Sequence, residues 1–267
     1  MTISRLPKPI ARKYWGGSVL PPFLVGLDSA LSQYEFEFAE HDNDAPCSVW
    51  RRRLFDGYEL HLNIWPRRSD ALPGRYSFGS SLAIWSARQA DVEHSICIQD
   101  CWKLDPAFFD DGVPRANPAV GVLSLSFNLL IASWEPQASE MSGALNRWDS
   151  IELSKNQDHI DDFMHFFRQQ GVKFIEFVES REKLARVLAS MEAFPGMSGH
   201  IAPVSSSPRV FASVLFADCG DFVNARRQLE VHLEKSAAIS STEFIIASCV
   251  TKKYKDWLLD LHGNAAN

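Results

Sequence analysis

Little in this chain is basic, rich in cysteine or continuously apolar, and each shortage removes a class of function. Of 267 residues, 27 are Lys or Arg and 33 are Asp or Glu, a net charge of −6. Non-specific nucleic-acid binding draws on phosphate charge and needs a basic surface. The chain lacks that excess, so no nucleic-acid partner is expected. Five cysteines (Cys47, Cys97, Cys101, Cys219 and Cys249) are too few and too scattered for a disulfide framework. Their odd number leaves one unpaired, so reduced thiols and a cytoplasmic location are expected. The N-terminus is basic (Arg5, Lys8, Arg12, Lys13), but neither an apolar stretch nor a small-residue cleavage site follows it, so it does not read as a signal peptide.

Motifs for chemistry are scarce as well. No Gly-x-Ser-x-Gly is present; Gly196-Met197-Ser198-Gly199-His200 only touches that pattern, in a loop. Glycine fingerprints for dinucleotides or phosphates are absent, and no cofactor is expected. Residues 116–134 carry no charge and invite a membrane reading. Their alternation argues for a strand instead: Leu123, Leu125, Phe127, Leu129 and Ile131 fall on one face, with Ser124, Ser126 and Asn128 on the other. No membrane partner is expected.

What the chain has in quantity is apolar and aromatic surface. Hydrophobic residues make up 46%, with 18 Phe and 8 Trp, enough to bury a large core. Residues 1–18 hold turn-formers and read as an arm. Pro21-Pro22 opens a helix with Phe23, Leu24, Leu27, Leu31 and Tyr34 at helical spacing. Two alternating runs flank Asp56-Gly57, a tight-hairpin signal, with Pro66 ending the second strand. Further strands are expected near 75–86, 92–102 and 122–134, giving an antiparallel meander. The 92–102 strand would let His94 approach His61.

After a break at 135–147 the period becomes helical. Ser154 with Gln157, Ser180, and Ser240 with Glu243 read as caps, and Gly171 as a helix stop. Residues 173–178 read as a short strand and 196–208 as a loop. Residues 210–217 and 222–233 read as a helical hairpin, and a last helix follows Ser240. The expected class is α+β, with an antiparallel sheet in the N-terminal half and a helical C-terminal half packed on or beside it. The expected divisions are an arm at 1–18, a β-rich domain at 19–137 and a mainly helical unit at 138–267.

Two groups of side chains could bind something. Arg51 and Arg53 share one strand face, and Arg67-Arg68 follow the partner strand, so a basic patch at one end of the hairpin is expected. It would suit an acidic partner or a phosphate; the competing reading is pairing with the chain's own acids. On the helix at 158–167, Asp158, Asp161, Asp162 and His165 share one face. They are either ligands for a divalent metal, as in a metal-dependent hydrolase, or a solvated face complementing the helix N-terminus. Cys97 and Cys101, in a strand, would sit about 13 Å apart, too far to share a metal, and read as small buried hydrophobes. Asp42-Asn43-Asp44 lacks the Gly and distant Glu of a calcium loop.

The layout is similar to that of bacterial α+β families that include immunity proteins of toxin loci. The points of resemblance are a leading helix from Phe23 to Tyr34, a hairpin from Val49 to Ile64, and Trp148-Asp149-Ser150-Ile151 before a cap at Ser154. A Phe-rich segment and another helix follow, from Phe174 to Leu188. It spans about residues 18–190 and carries over no functional residues. The resemblance implies a non-enzymatic cytoplasmic protein that binds another protein, a toxin, and blocks it.

Overall fold

A computed structural model describes residues 20–42, 47–68, 76–104, 119–127, 156–190, 201–203 and 208–265. The chain is α+β. Helix α1 (Leu20–Leu31) and a 3-10 turn (Ser32–Tyr34) lead into β1 (Glu37–Asp42), β2 (Cys47–Phe55), β3 (Tyr58–Arg68) and β4 (Tyr76–Ser86). Helices α2 (Ala87–Ser95) and α3 (Gln99–Trp102) precede β5 (Val120–Ser126). Then come α4 (Asn156–Phe166), a π-turn (Phe167–Gly171), α5 (Val172–Val178), α6 (Arg181–Ser190) and β6 (Ile201–Pro203). Three helices close the chain: α7 (Pro208–Asp218), α8 (Phe222–Ala237) and α9 (Ser241–Ala265). The six strands form one antiparallel sheet in chain order.

The hairpin forms where expected. Gly57 takes φ 77° in the turn, a conformation open to glycine. Pro66 does not end β3, which runs on to Arg68 opposite Tyr76. The β2–β3 pairing ends at Ser48 opposite Ile64, so the missing N–H of Pro66 interrupts no bond to β2. Alternation then sorts the faces. Trp50, Leu60, Leu62, Ile64, Leu82, Ile84, Leu123 and Leu125 are buried on one side. Glu59, His61, Asn63 and Trp85 lie on the other.

The buried side packs against α1, α4, α5, α6 and one flank of α7 in one continuous cluster. The division near 135–147 lies outside the described residues, as does the 1–18 arm, but this cluster joins Leu24 and Leu62 to Phe163, Leu184 and Leu215. A smaller cluster lies on the other flank of α7, among α2, α3, α8 and α9. Every residue from Val210 to Leu215 is buried, because α7 serves both clusters.

Several expectations fail locally. Residues 92–102 are helical rather than a strand: Ser86 accepts from the Gln89 N–H at 2.9 Å and caps α2 directly at the end of β4. His94 therefore leaves the sheet and does not meet His61. Gly171 does not stop its helix, and 173–178 is helix α5. A Cβ on Gly171 would lie 2.8 Å from the Phe167 ring, so glycine here admits an aromatic side chain. The 196–208 loop contains β6, which pairs with β5. Finally, not all thiols are reduced: Cys101, buried on α3, forms a disulfide with Cys249 on α9. Ser180 and Ser240 do cap α6 and α9, while Ser154 lies outside the described residues. No helix among the described residues is long and apolar enough to cross a membrane.

Candidate functional site

The arginine run ends up at a sheet edge. β1 pairs with β2 only from Asp42 opposite Cys47 to Glu37 opposite Arg51. There the chain turns away: the Phe36 N–H donates to the Leu31 carbonyl, and Glu35 sits at φ 62°. Among the described residues, no strand pairs with Arg52–Phe55 on that side. The departure opens a cleft of about 620 Å³ lined by Arg51, Arg52, Arg53, Glu35, Glu37 and Glu59, with Phe38, Ala39 and Leu54.

Alternation sets the roles of the three arginines. Arg51 and Arg53 point to the face opposite the core, beside Glu37 and Glu59, their register neighbours. Arg52 lies opposite Leu60 on the core side and holds Glu35 at 3.1 Å. Arg53 pairs with Asp56 at the turn. Glu59 also receives the His61 ring at 3.2 Å, and that ring stacks on Trp85 with centroids 5.8 Å apart. The edge is therefore a band of alternating charge in which Arg52 and Arg53 are partly answered by the chain's own acids.

The hairpin does not bring Arg67 and Arg68 to this place. Arg51 is opposite His61, whereas Arg67 is opposite Ser77 on β4, six residues further along β3. At the rise of a strand that is about 20 Å. The two basic pairs therefore sit at different heights along the hairpin, Arg67-Arg68 at its open end and Arg51 and Arg53 nearer the turn.

The acidic helix face falls on α4. Asp158, Asp161 and His165 are exposed and Asp162 is half-buried. Asp161 accepts from Gln157 at 2.9 Å, and the His165 ring meets Gln169 at 2.9 Å. Among the described residues, no three His, Cys, Asp or Glu side chains are placed to hold a metal ion.

One polar cluster has no sequence signature. At the junction of the hairpin turn with α2, α6 and α7, a pocket of about 320 Å³ is lined by Asp56, Arg88, Asp91, Arg181 and Asp218. Arg88 grips Asp218 through two nitrogens, at 2.8 Å and 3.2 Å, and lies 5.8 Å from the Trp257 ring centre. That hydrogen bond raises the Arg88 pKa. Beside the pocket, partial desolvation and then Glu182 push the exposed Cys219 thiol up to about 11, so it stays protonated at neutral pH. Arg88 and Asp218 are 130 positions apart, and no local spacing could announce that pair.

No family model, curated protein or solved structure matches this chain.

Proposed function

We propose that this is a non-enzymatic, cytoplasmic binding protein of immunity type, which takes an acidic, extended segment of a toxin along the bare edge of β2. The observation that carries this reading is the cleft where β1 leaves β2, with Arg51 and Arg53 on one face beside unpaired strand backbone. Strand addition uses the main-chain groups for affinity and alternate side chains for choice of partner. Arg51 and Arg53, two residues apart and about 7 Å along the strand, would place two guanidinium groups around one carboxylate. The net charge of −6 does not oppose this, because charges separated by more than about 8 Å are largely screened at physiological salt. Charges on an edge also protect it from indiscriminate pairing, and the same residues can do both.

The test is co-purification with products of the neighbouring genes, each expressed singly, using the wild type and an Arg51→Glu/Arg53→Glu variant. The expected result is one tight partner whose affinity falls at least tenfold in the variant and declines with salt. No partner, or a partner that binds the variant equally well, would remove this reading.

A further inference from the structure

Two cysteines 148 positions apart meet where the C-terminal helix crosses the α2–α3 turn. Cys101 is fully buried and Cys249 half-buried, with 5.5 Å between their Cα atoms. One turn further along α9, Lys253 donates to the Ile96 carbonyl at 2.8 Å and lies 3.8 Å from Asp100. Residues four apart on a helix are neighbours, so Lys253 ties α9 to the same turn one helical turn from Cys249.

The other cysteines decide what kind of disulfide this is. Cys97 and Cys219 carry exposed free thiols. Cys97 lies on the same turn as Cys101 and holds φ 50°, a strained conformation for a residue with a side chain. In an oxidising compartment, an exposed thiol such as Cys97, four residues from Cys101, exchanges with the neighbouring disulfide and scrambles it, whereas Cys219, protonated at neutral pH, does not. Exposed reduced thiols beside a single disulfide match a reducing compartment, where such bonds are transient and report redox state. The bond is also dispensable to the sheet. Neither cysteine belongs to the larger hydrophobic cluster, whereas Cys101 is part of the smaller one and Cys249 packs on it.

We propose that Cys101–Cys249 is a reversible redox latch that fastens α9 to the α2–α3 turn and is opened by a small thiol of the glutathione class. Cys249, the more accessible sulfur, takes the attack. A glutathione thiolate bonds to its Sγ, the disulfide breaks, and Cys101 leaves as a thiolate and is protonated. A second glutathione thiolate then attacks the glutathione sulfur of the mixed disulfide. Cys249 is released as a thiolate and protonated, and glutathione disulfide departs. Two electrons pass from two glutathione molecules to the two cysteines. The reverse sequence closes the latch. Open, the turn keeps the Lys253 contacts and the packing of Ile96 and Ile98, and this part of the molecule loosens while the sheet stays closed.

The experiment equilibrates the full chain in buffers of graded glutathione to glutathione disulfide ratio. Samples are acid-quenched, alkylated and mapped by mass spectrometry, and amide hydrogen exchange is followed at both ends of the series. A linked Cys101–Cys249 peptide pair should appear and titrate completely with the ratio. Reduction should speed exchange at 96–102 and 246–254 at least tenfold and leave β2–β4 unchanged. Cys249→Ser should exchange like the reduced protein at every ratio, and Cys97→Ser should keep the full response. The latch is ruled out by the absence of a linked pair at any ratio, by a bond that survives pure glutathione, or by reduction that leaves exchange at 96–102 unchanged.

Discussion

The two hydrophobic clusters on either flank of α7 are built on different physics. The larger one joins the sheet to α1, α4, α5 and α6 through sheer apolar area, with Phe127 at its centre touching the rings of Phe163, Phe166 and Phe167. The smaller one, among α2, α3, α8 and α9, is threaded with polar groups. The Gln89 amide donates to the buried Tyr254 hydroxyl at 2.7 Å, Glu93 lies beside them, and a disulfide pins one corner. Gln89 Oε1, Ser213 Oγ and Thr251 Oγ1 are buried there without a protein partner. Area is forgiving of detail and unforgiving of lost volume. Polar interiors are the reverse: each bond is directional, and a missing partner leaves a desolvation cost. The two regions should therefore fail differently.

The largest expected effect comes from emptying the first region. Phe127→Ala removes a fully buried ring and should cost about 4 kcal/mol, read as a lower urea midpoint for the whole chain. A loss under about 1 kcal/mol would mean that the aromatic cluster is not the main core. Next is the joint between the regions. The Gly57 carbonyl accepts from the Ala87 and Arg88 N–H groups at 2.9 and 3.3 Å, tying the hairpin turn to α2. A Cβ there would lie 2.7 Å from Arg88 Cβ at a φ of 77°. Gly57→Ala should cost about 2 kcal/mol. Gly220→Ala, at φ 80° with nothing within 4 Å of its added Cβ, should cost about 1 kcal/mol from the backbone alone. Equal losses at the two sites would show that crowding at Gly57 counts for nothing.

In the second region, Tyr254→Phe keeps the ring and deletes one bond to Gln89, a loss of about 1 kcal/mol. Its signature is faster hydrogen exchange in α9 with β2–β4 unaffected. A change spread evenly over both regions would show that the two clusters do not fail separately.

The smallest effect is a pH dependence confined to the second region. Burial, opposed by the Gln89 hydrogen bond, raises the Glu93 pKa in the folded state. Below its ordinary range the carboxyl is protonated in both states and costs nothing. As pH rises through that range, the unfolded chain ionises first and stability falls, until the folded group ionises too. Glu93→Gln removes this penalty. It should raise Tm at pH 7 and leave it unchanged near pH 3; a gain of equal size at both would point to packing instead.

Wherever one local rule acted alone, the sequence was readable. Asp56-Gly57 between alternating runs gives the hairpin, Ser180 and Ser240 give two caps, and Leu123 and Leu125 find the core face as their alternation requires. The misreadings occur where two rules compete. In 92–102, mixed apolar residues resemble a strand, but the Ser86 side chain caps the helix that starts at Ala87, and that local bond wins. At Gly171 the terminating habit of glycine gives way to the space needed by Phe167. Of the candidate sites, Arg51 and Arg53 sharing a face was legible from period two. Their separation from Arg67 was not, because it depends on register within the hairpin.

Alternation, caps and turn residues depend on neighbours a few positions away, so the sequence alone determined the hairpin, the sheet-then-helix order and the faces of most elements. Where β1 leaves β2, how Arg88 reaches Asp218, and which two of five cysteines meet are matters of long-range closure. Only the packed chain decides them, because each requires segments more than a hundred positions apart, or strands of unequal length, to fit around the same core.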